Sequence, residues 1–304
     1  MPAPVPPLDG APPPGRIVTA VALRFFCRSH ERLADAASAA SPALHAASVT
    51  PLSPRSHRET TSARRQPSIS TVARLERAQY ELAPSVVRRL LATYGADAEQ
   101  TWEITHLAGD DDGDRKSKEI CDLGPGWYQR LAWCEHAATA IRTYDATHLP
   151  VALRTPEYND SLLWVGPQEA HRGARALPLT SAGRITGLID HTVLERPLGG
   201  PAVMARQLDH LLVFVDRGAR VRIVPPGGPA LWRWDKTSEM TIYGQRLFAV
   251  EAARVTYYTG PTAGGPLAEV LDEAEATALS DDESRRLIAA AASRFRKETE
   301  LGEA

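Results

Sequence analysis

The sequence has few of the features that identify a known chemistry. It contains only three cysteines, Cys27, Cys121 and Cys134, and no two of them form a Cys-x-x-Cys pair. This scatter argues against a structural zinc site or a disulfide framework, and it predicts three free thiols in a reducing cytosol. The usual short motifs of nucleotide-binding loops, zinc hydrolases and serine hydrolases are also missing. We therefore expect no cofactor, no metal and no catalytic residues.

Long apolar runs and a large net charge are missing as well. The run IVTAVAL at 17–23 is far shorter than the roughly 20 residues that cross a bilayer. The N-terminus lacks the basic start and apolar run of a secretory signal. A net charge of −2 gives no whole-protein attraction to nucleic acid, so DNA binding would need a local basic patch. These absences predict a cytoplasmic protein with no membrane partner.

What is present divides the chain by composition. Prolines at 1–16 predict a disordered leader. Residues 17–108 carry helical patterns, interrupted at 41–67 by a Pro/Ser/Arg-rich insertion with too little apolar surface to offset its ordering entropy. An acidic stretch predicts a linker over 109–124, and residues 125–298 follow as a second domain. The predicted fold class is α+β, with an all-α N-terminal part and a larger mixed C-terminal domain.

Hydrophobic spacing predicts the elements within these segments. Helical spacing predicts helices over 17–40, 68–79, 84–95, 127–145, in GGPAVMARQLDHLLVFVDRG, and in a C-terminal segment capped near Ser280. Strands are predicted in RITGLIDHTVL, ARVRIVP and, at least twice, in MTIYGQRLFAVEAARVTYYTG. Strand, helix and strand in succession favour the α+β assignment for the second domain.

Three stretches carry a resemblance to a known family. They are STVARLERAQYELAPSVVRRLLATYG at 70–95, HLPVALRTPEYNDSLL at 148–163 and LIDHTVLERPLGGPAVMARQLDHLLVF at 188–214. They resemble actinobacterial Xre-type (lambda-repressor-like) helix-turn-helix regulators, followed by the C-terminal domain of unknown function that these regulators carry. The resemblance is broad from 127 to about 295 and partial in the N-terminal part.

The resemblance implies a recognition helix, DNA as a partner and a set of DNA-binding residues. In such a helix the N-terminal side chains face base edges, while hydroxyl and cationic groups hold phosphates. The residues implied are Ser68, Ser70, Thr71, Arg74 and Arg77, and Glu76 is expected to brace the fold. The alternative is that the apolar side chains of 68–79 only pack a three-helix core and that the serines cap the helix.

The chain departs from the family's pattern at four places. The insertion lies within 24–67, where the family has its second helix, and a shifted reading frame would also give this composition. Ala78 stands in place of a turn glycine, which carries a steric cost if that position needs a positive φ. PVALRT at 150–155 replaces the family's PGLLQT, and WVGPQEAHRGARALPLTSAG replaces an Arg- and Gln-rich helix.

Two other functional classes remain open at this point. One is a sensor or partner-binding module that has lost DNA recognition, in which aromatic residues of the second domain line a pocket for a small ligand or a small partner protein. The other is an enzyme recruited from this scaffold, for which Glu135, His136, Asp145 and His148 are the acid–base candidates. A homodimer is also compatible with the sequence.

Overall fold

The computed structural model describes seven stretches of the chain: residues 12–39, 69–79, 83–108, 119–162, 177–226, 236–252 and 255–302. The insertion at 41–67, residues 1–11 of the leader and Ser68 lie outside the described residues. Within them the fold is α+β, with helices at the N-terminus followed by a mixed sheet with further helices. The predicted fold class is confirmed.

The N-terminal part consists of α1 (Pro14–Ala39), α2 (Ile69–Leu75), α3 (Pro84–Thr93) and α4 (Ala98–Leu107). Proline opens α1 and α3, where its missing N–H and fixed φ suit the first helical turn. Asp97 and Gln100 form a reciprocal capping box at the start of α4. Because α1 begins at Pro14, the predicted leader at 1–16 is wrong for its last three residues.

Two helix ends show how local sequence sets these boundaries. The turn after α3 uses Gly95 at φ +79°, as the predicted helix stop requires. The turn after α2 uses Ala78 at φ +56°, and the N–H of Gln79 donates to Arg74 O at 3.0 Å. The alanine therefore occupies the left-handed conformation that favours glycine, so the steric cost expected from the sequence is real.

The sheet of the described residues has seven strands: β1 (Glu119–Asp122), β2 (Ala140–Asp145), β3 (Ile185–Asp190), β4 (Arg220–Val224), β5 (Lys236–Ile242), β6 (Gln245–Ala252) and β7 (Val255–Thr259). Their order is β1-β7-β6-β5-β2-β3-β4. The pairs β2–β3 and β3–β4 are parallel, and the other pairs are antiparallel. The strands predicted for the second domain are confirmed.

Two strands correct the sequence-based boundaries. The helix predicted over 127–145 is α5 (Trp127–Ala137) followed by β2, because Ala138 adopts extended backbone and ends the helix. The apolar side chain of Ile141 continues the helical stripe of α5, so periodicity alone did not separate the two elements. Similarly, β1 lies inside the predicted linker at 109–124.

The remaining helices are α6 (Pro156–Asp160), α7 (Pro201–Asp216), α8 (Gly265–Thr277) and α9 (Asp281–Gly302). Ser280 and Glu283 cap α9 reciprocally, as its predicted start requires. No helix in the described ranges is long and apolar enough to cross a membrane. The three cysteines are free thiols.

The main core runs through both predicted domains. One cluster of buried side chains includes Ile17 and Leu23 of α1, Leu91 of α3, and Ile141 and Met240 of the sheet. It also takes in the inner faces of α7 and α9. The opposite face of the sheet packs on α8 in a second, smaller cluster. The N-terminal helices are thus packed directly on the sheet within the described residues.

Candidate functional site

Four arginines lie on α1, on α2 and in the turn that follows α2. Arg24, Arg28 and Arg77 line a cleft of about 180 Å³ between the two helices. Arg74 is exposed one turn before Arg77. We call these four arginines the α1–α2 surface. Arg24 and Arg28 were not among the residues predicted from the sequence, although their i, i+4 spacing indicates that they share a helix face.

The structure places the five predicted DNA-binding residues unequally. Arg74 and Arg77 are exposed and belong to the α1–α2 surface. Ser70 and Thr71 lie in the backbone of α2, but their side chains are outside the described residues, as is Ser68 altogether. Arg74 and Arg77 are therefore the two predicted DNA-binding residues whose side chains the structure describes.

Two glutamates share the cleft, and both have partners inside it. The hydroxyl of Tyr94 donates to Glu76 Oε1 at 3.2 Å, and the thiol of Cys27 lies 3.8 Å from Glu31 Oε1. Burial and the charge of Glu76 raise the pKa of Tyr94 and of Cys27 above their ordinary values. Both groups keep their protons and donate to the glutamates. Glu76 therefore braces α2 against α3, as expected.

Aromatic contacts hold α1 against the sheet domain. Phe25 stacks on Trp133 of α5 with ring centroids 4.3 Å apart and an interplanar angle of 20°. Phe26 meets the same indole edge-on at 5.6 Å. The guanidinium of Arg24 lies 6.0 Å from the ring centroid of Tyr243, in the turn between β5 and β6. These contacts fix the α1–α2 surface relative to the sheet.

A buried ion-pair triad makes a second connection. Arg130 of α5 donates to Asp122 of β1 through Nε at 2.8 Å and Nη2 at 2.6 Å, and through Nη1 to Glu103 of α4. Burial alone would lower the pKa of Arg130, yet the bonds to both carboxylates raise it above its ordinary value. Gly124 and Gly126 leave room for this group, because a Cβ at either would lie within 3.0 Å of its atoms. The triad joins α4, β1 and α5.

A second buried carboxylate organises the end of β2. Asp145 Oδ1 accepts from the backbone N–H groups of Thr147 and His148, both at 2.9 Å, while Oδ2 accepts from Arg154 Nη2 at 3.3 Å. Burial raises the pKa of Asp145, and the charge of Arg154 opposes that shift. Arg154 also donates to Leu149 O at 2.6 Å. Arg154 is thus accommodated by a buried acidic partner.

Gln207 connects two of the stretches that carry the resemblance. Its Oε1 accepts from the N–H of Thr155 at 2.6 Å, and its Nε2 donates to Leu153 O at 3.0 Å. Gln207 is completely buried on α7. The segment 150–155 is therefore held to α7 by a side-chain amide that satisfies two backbone groups.

Three of the four acid–base candidates have structural partners. Asp145 is held by Arg154, and His136 Nδ1 lies 2.8 Å from Ala132 O on its own helix. His148 Nδ1 lies 2.8 Å from the hydroxyl of Thr147. In the part of the chain that the structure describes, no three His, Cys, Asp or Glu side chains are placed to hold a metal ion.

An exposed aromatic patch lies on α4. Trp102 of α4 is 65% exposed and stacks on His106, with ring centroids 5.5 Å apart. The indole borders a hollow of about 460 Å³, whose other walls include Ala92 and Ala96 at the end of α3. Such exposure of a tryptophan is typical of a contact surface for another molecule.

Comparison with known proteins identifies one family. Residues 128–290, more than half of the chain, match the family model described as "Domain of unknown function (DUF5753)". No significant match was found among curated proteins or among solved structures. The matched range starts in α5 and ends in α9, so it covers most of the sheet and excludes α1 to α4.

Proposed function

Because the chain belongs to the DUF5753 family, whose description gives no activity, we propose its function from the geometry: it is a DNA-binding transcriptional regulator. In this proposal the α1–α2 surface contacts the duplex. The sheet domain senses a small ligand or a small partner protein. The observation that carries the proposal is the placement of Arg77 beside Arg24 and Arg28 around one cleft, with Arg74 exposed one turn earlier in the chain.

The charge of this surface supports contact with phosphates. Three of the four arginines share the cleft with two glutamates, and both glutamates accept hydrogen bonds. The surface therefore carries local positive charge on a chain whose net charge is −2. Guanidinium groups suit phosphate oxygens because they donate two parallel hydrogen bonds. Phosphate contacts of this kind position a protein on DNA without reading its sequence.

The shared core supports the sensor half of the proposal. α1 is tied to α5 by the stacking of Phe25 on Trp133, and α4 is tied to β1 and α5 by Arg130. A ligand that binds one arrangement of the sheet domain more tightly than another would shift the population of both parts together. The position of the α1–α2 surface would then depend on occupancy of the sheet domain.

The proposal is tested by selection of bound DNA with the full chain, followed by gel shift. Arg74→Ala should weaken binding at every sequence tested, because a lost phosphate contact costs affinity uniformly. Arg217→Ala is the matched control, since Arg217 is exposed beyond the end of α7, outside the N-terminal helices. A chain that ignores DNA at low salt would defeat the proposal.

A second candidate is a partner-binding module that does not contact DNA, and the exposed stack of Trp102 on His106 favours it. Such a surface suits a protein partner, including a second copy of this chain. Sedimentation of the full chain over a range of concentrations tests the second-copy form. Association that Trp102→Ala abolishes, in a protein without DNA affinity, would favour this candidate over the regulator.

A further inference from the structure

The face of the sheet that packs on α8 is apolar in one part and polar in another. The side chains of Tyr144, Leu188 and Val224 pack on α8. The polar part of the same face lies nearer the start of each strand. It carries Arg142 of β2, Thr186 of β3 and Arg220 of β4. These positions line a groove of about 380 Å³ at the amino-terminal ends of the parallel strands. That volume lies within the ordinary range for small-molecule sites.

The arginine nearest the centre of the sheet is already neutralised. Arg142 donates to Glu239 at 2.7 and 3.1 Å and to Asp272 at 2.5 Å. A further bond reaches Glu275 at 3.2 Å. Glu239 in turn also accepts from Arg246. This end of the groove is therefore a closed network in which two arginines meet three carboxylates, so it offers no net positive charge to a ligand.

Arg184 differs from Arg142 in having no carboxylate partner among the described residues. Its donors go to uncharged acceptors: the carbonyl oxygens of Ala138 and His136, and the hydroxyl of Ser181 at 3.1 Å. Burial lowers the pKa of Arg184, and only the charge of Glu135 opposes this shift. A half-buried guanidinium that makes no direct ion pair within the described residues stabilises an anion that enters the groove.

Arg220 supplies a second cation on the same side of the groove. It pairs with Glu275 through Nη1 at 3.1 Å, and its side chain remains 50% exposed. It also forms a longer ion pair with Asp281, whose Oδ2 lies 3.7 Å from Nε, so its remaining capacity for a ligand rests on its exposed side. Thr186 and Thr241, whose side chains carry hydroxyl groups, also line the groove. Two guanidinium groups and neighbouring hydroxyls are the donor set that carboxylates and phosphates require.

We propose that this groove binds a small organic anion whose carboxylate or phosphate group accepts hydrogen bonds from Arg184 and Arg220. The proposal deepens, and rests on, the sensor half of the proposed function, because it names the ligand class and its site. It assigns the ligand to the face of the sheet opposite the main core. The ion pairs between Arg142, Arg220 and α8 then place the ligand beside the helix that covers this face.

The test is isothermal titration of the full chain with two probes, inorganic phosphate and succinate, in a buffer of low chloride. Arg184→Gln and Arg220→Gln should each weaken binding about tenfold or more, because each removes charge-assisted hydrogen bonds. Arg285→Gln is the matched control, since Arg285 pairs with Asp216 on the surface at 2.8 Å. Circular dichroism of each variant reports whether it folds. If Arg184→Gln does not fold, Arg220→Gln alone decides the test.

Each outcome supports or overturns the proposal. Binding of either probe that both groove variants weaken and the control leaves unchanged supports it, and the better probe identifies the anionic group. Absence of heat with both probes at millimolar concentration overturns it, as does binding that Arg220→Gln leaves unchanged. The titration needs no DNA, so the two proposals can fail separately. If the chain binds the anion but fails the gel shift, the proposed DNA-binding function is rejected and the proposed anion site is supported.

Discussion

Substitution of Arg130 by methionine should lower the free energy of unfolding far more than the loss of an ordinary surface ion pair does. Methionine keeps much of the length of arginine and removes its charge and its donors. The change leaves Glu103 and Asp122 without their common counterion, although they are only 5% and 2% exposed. It therefore strands two carboxylates in a region where water cannot replace the guanidinium.

The magnitude follows from this burial. Removing one partner of a buried pair costs about 3–5 kcal/mol, because an uncompensated charge stays behind. A typical domain has only about 5–15 kcal/mol of total stability, so the variant should lie near the limit of folding. The exposed pair Arg285–Asp216 provides the contrast, and Arg285→Met should cost no more than about 1 kcal/mol.

Urea denaturation followed by circular dichroism measures both free energies of unfolding. A triple variant, Arg130→Met with Glu103→Gln and Asp122→Asn, should recover a large part of the loss, since no buried charge remains. Hydrogen exchange should place the remaining weakness in α4 and β1. A loss below about 1 kcal/mol for Arg130→Met, or a triple variant no more stable than the single one, would refute the assignment of this triad as the connection between the two parts.

Three further predictions concern single buried positions. Ala78→Val should destabilise the protein by about 1–3 kcal/mol in urea denaturation, because a β-branched residue is strained at positive φ, whereas Ala78→Gly should be nearly neutral. Gln207→Leu should cost about 2–4 kcal/mol by the same assay, since Thr155 N–H and Leu153 O lose their partner; an effect near zero would contradict that role. Burial raises the pKa of Asp145 above its unfolded value of about 3.9. The contribution of Asp145 to the free energy of unfolding is therefore fully present below the unfolded pKa, and it is lost as pH rises through the folded pKa. The difference between wild type and Asp145→Asn should therefore shrink as pH rises, and a difference that grows would show that Arg154 outweighs burial.

Much of the fold could be predicted from the sequence where pattern and chemistry agree. α7 and α9 have long amphipathic stripes, and Ser280 caps α9 as its residue type indicates. β3 and β4 are bounded by turn residues. In contrast, α8 was not predicted, and β2 was read as part of a helix. For β2 the reason is that Ile141 and its neighbours are buried in the sheet, so the sequence there does not alternate between apolar and polar residues as a half-exposed strand does.

The candidate sites were less accessible to the sequence, because tertiary structure assembles them. Arg74 and Arg77 were predicted from the resemblance, whereas Arg24 lies beside Arg77 only because both residues line one cleft in the folded chain. The groove residues Arg184 and Arg220 are distant in sequence, and the register that pairs Thr186 with Arg220 brings them to one wall. Arg184 has no carboxylate partner among the described residues because of where the folded chain places its side chain, and composition contains no signal for that.

The salt dependence of DNA affinity tests the central claim most directly. The full chain, the double variant Arg74→Ala/Arg77→Ala and the control Arg217→Ala would be titrated with DNA at several salt concentrations. If the α1–α2 surface holds phosphates, the slope of log affinity against log salt should fall by about one unit per arginine in the double variant and stay unchanged in the control. An unchanged slope in the double variant, or a full chain without DNA affinity at low salt, would contradict the account.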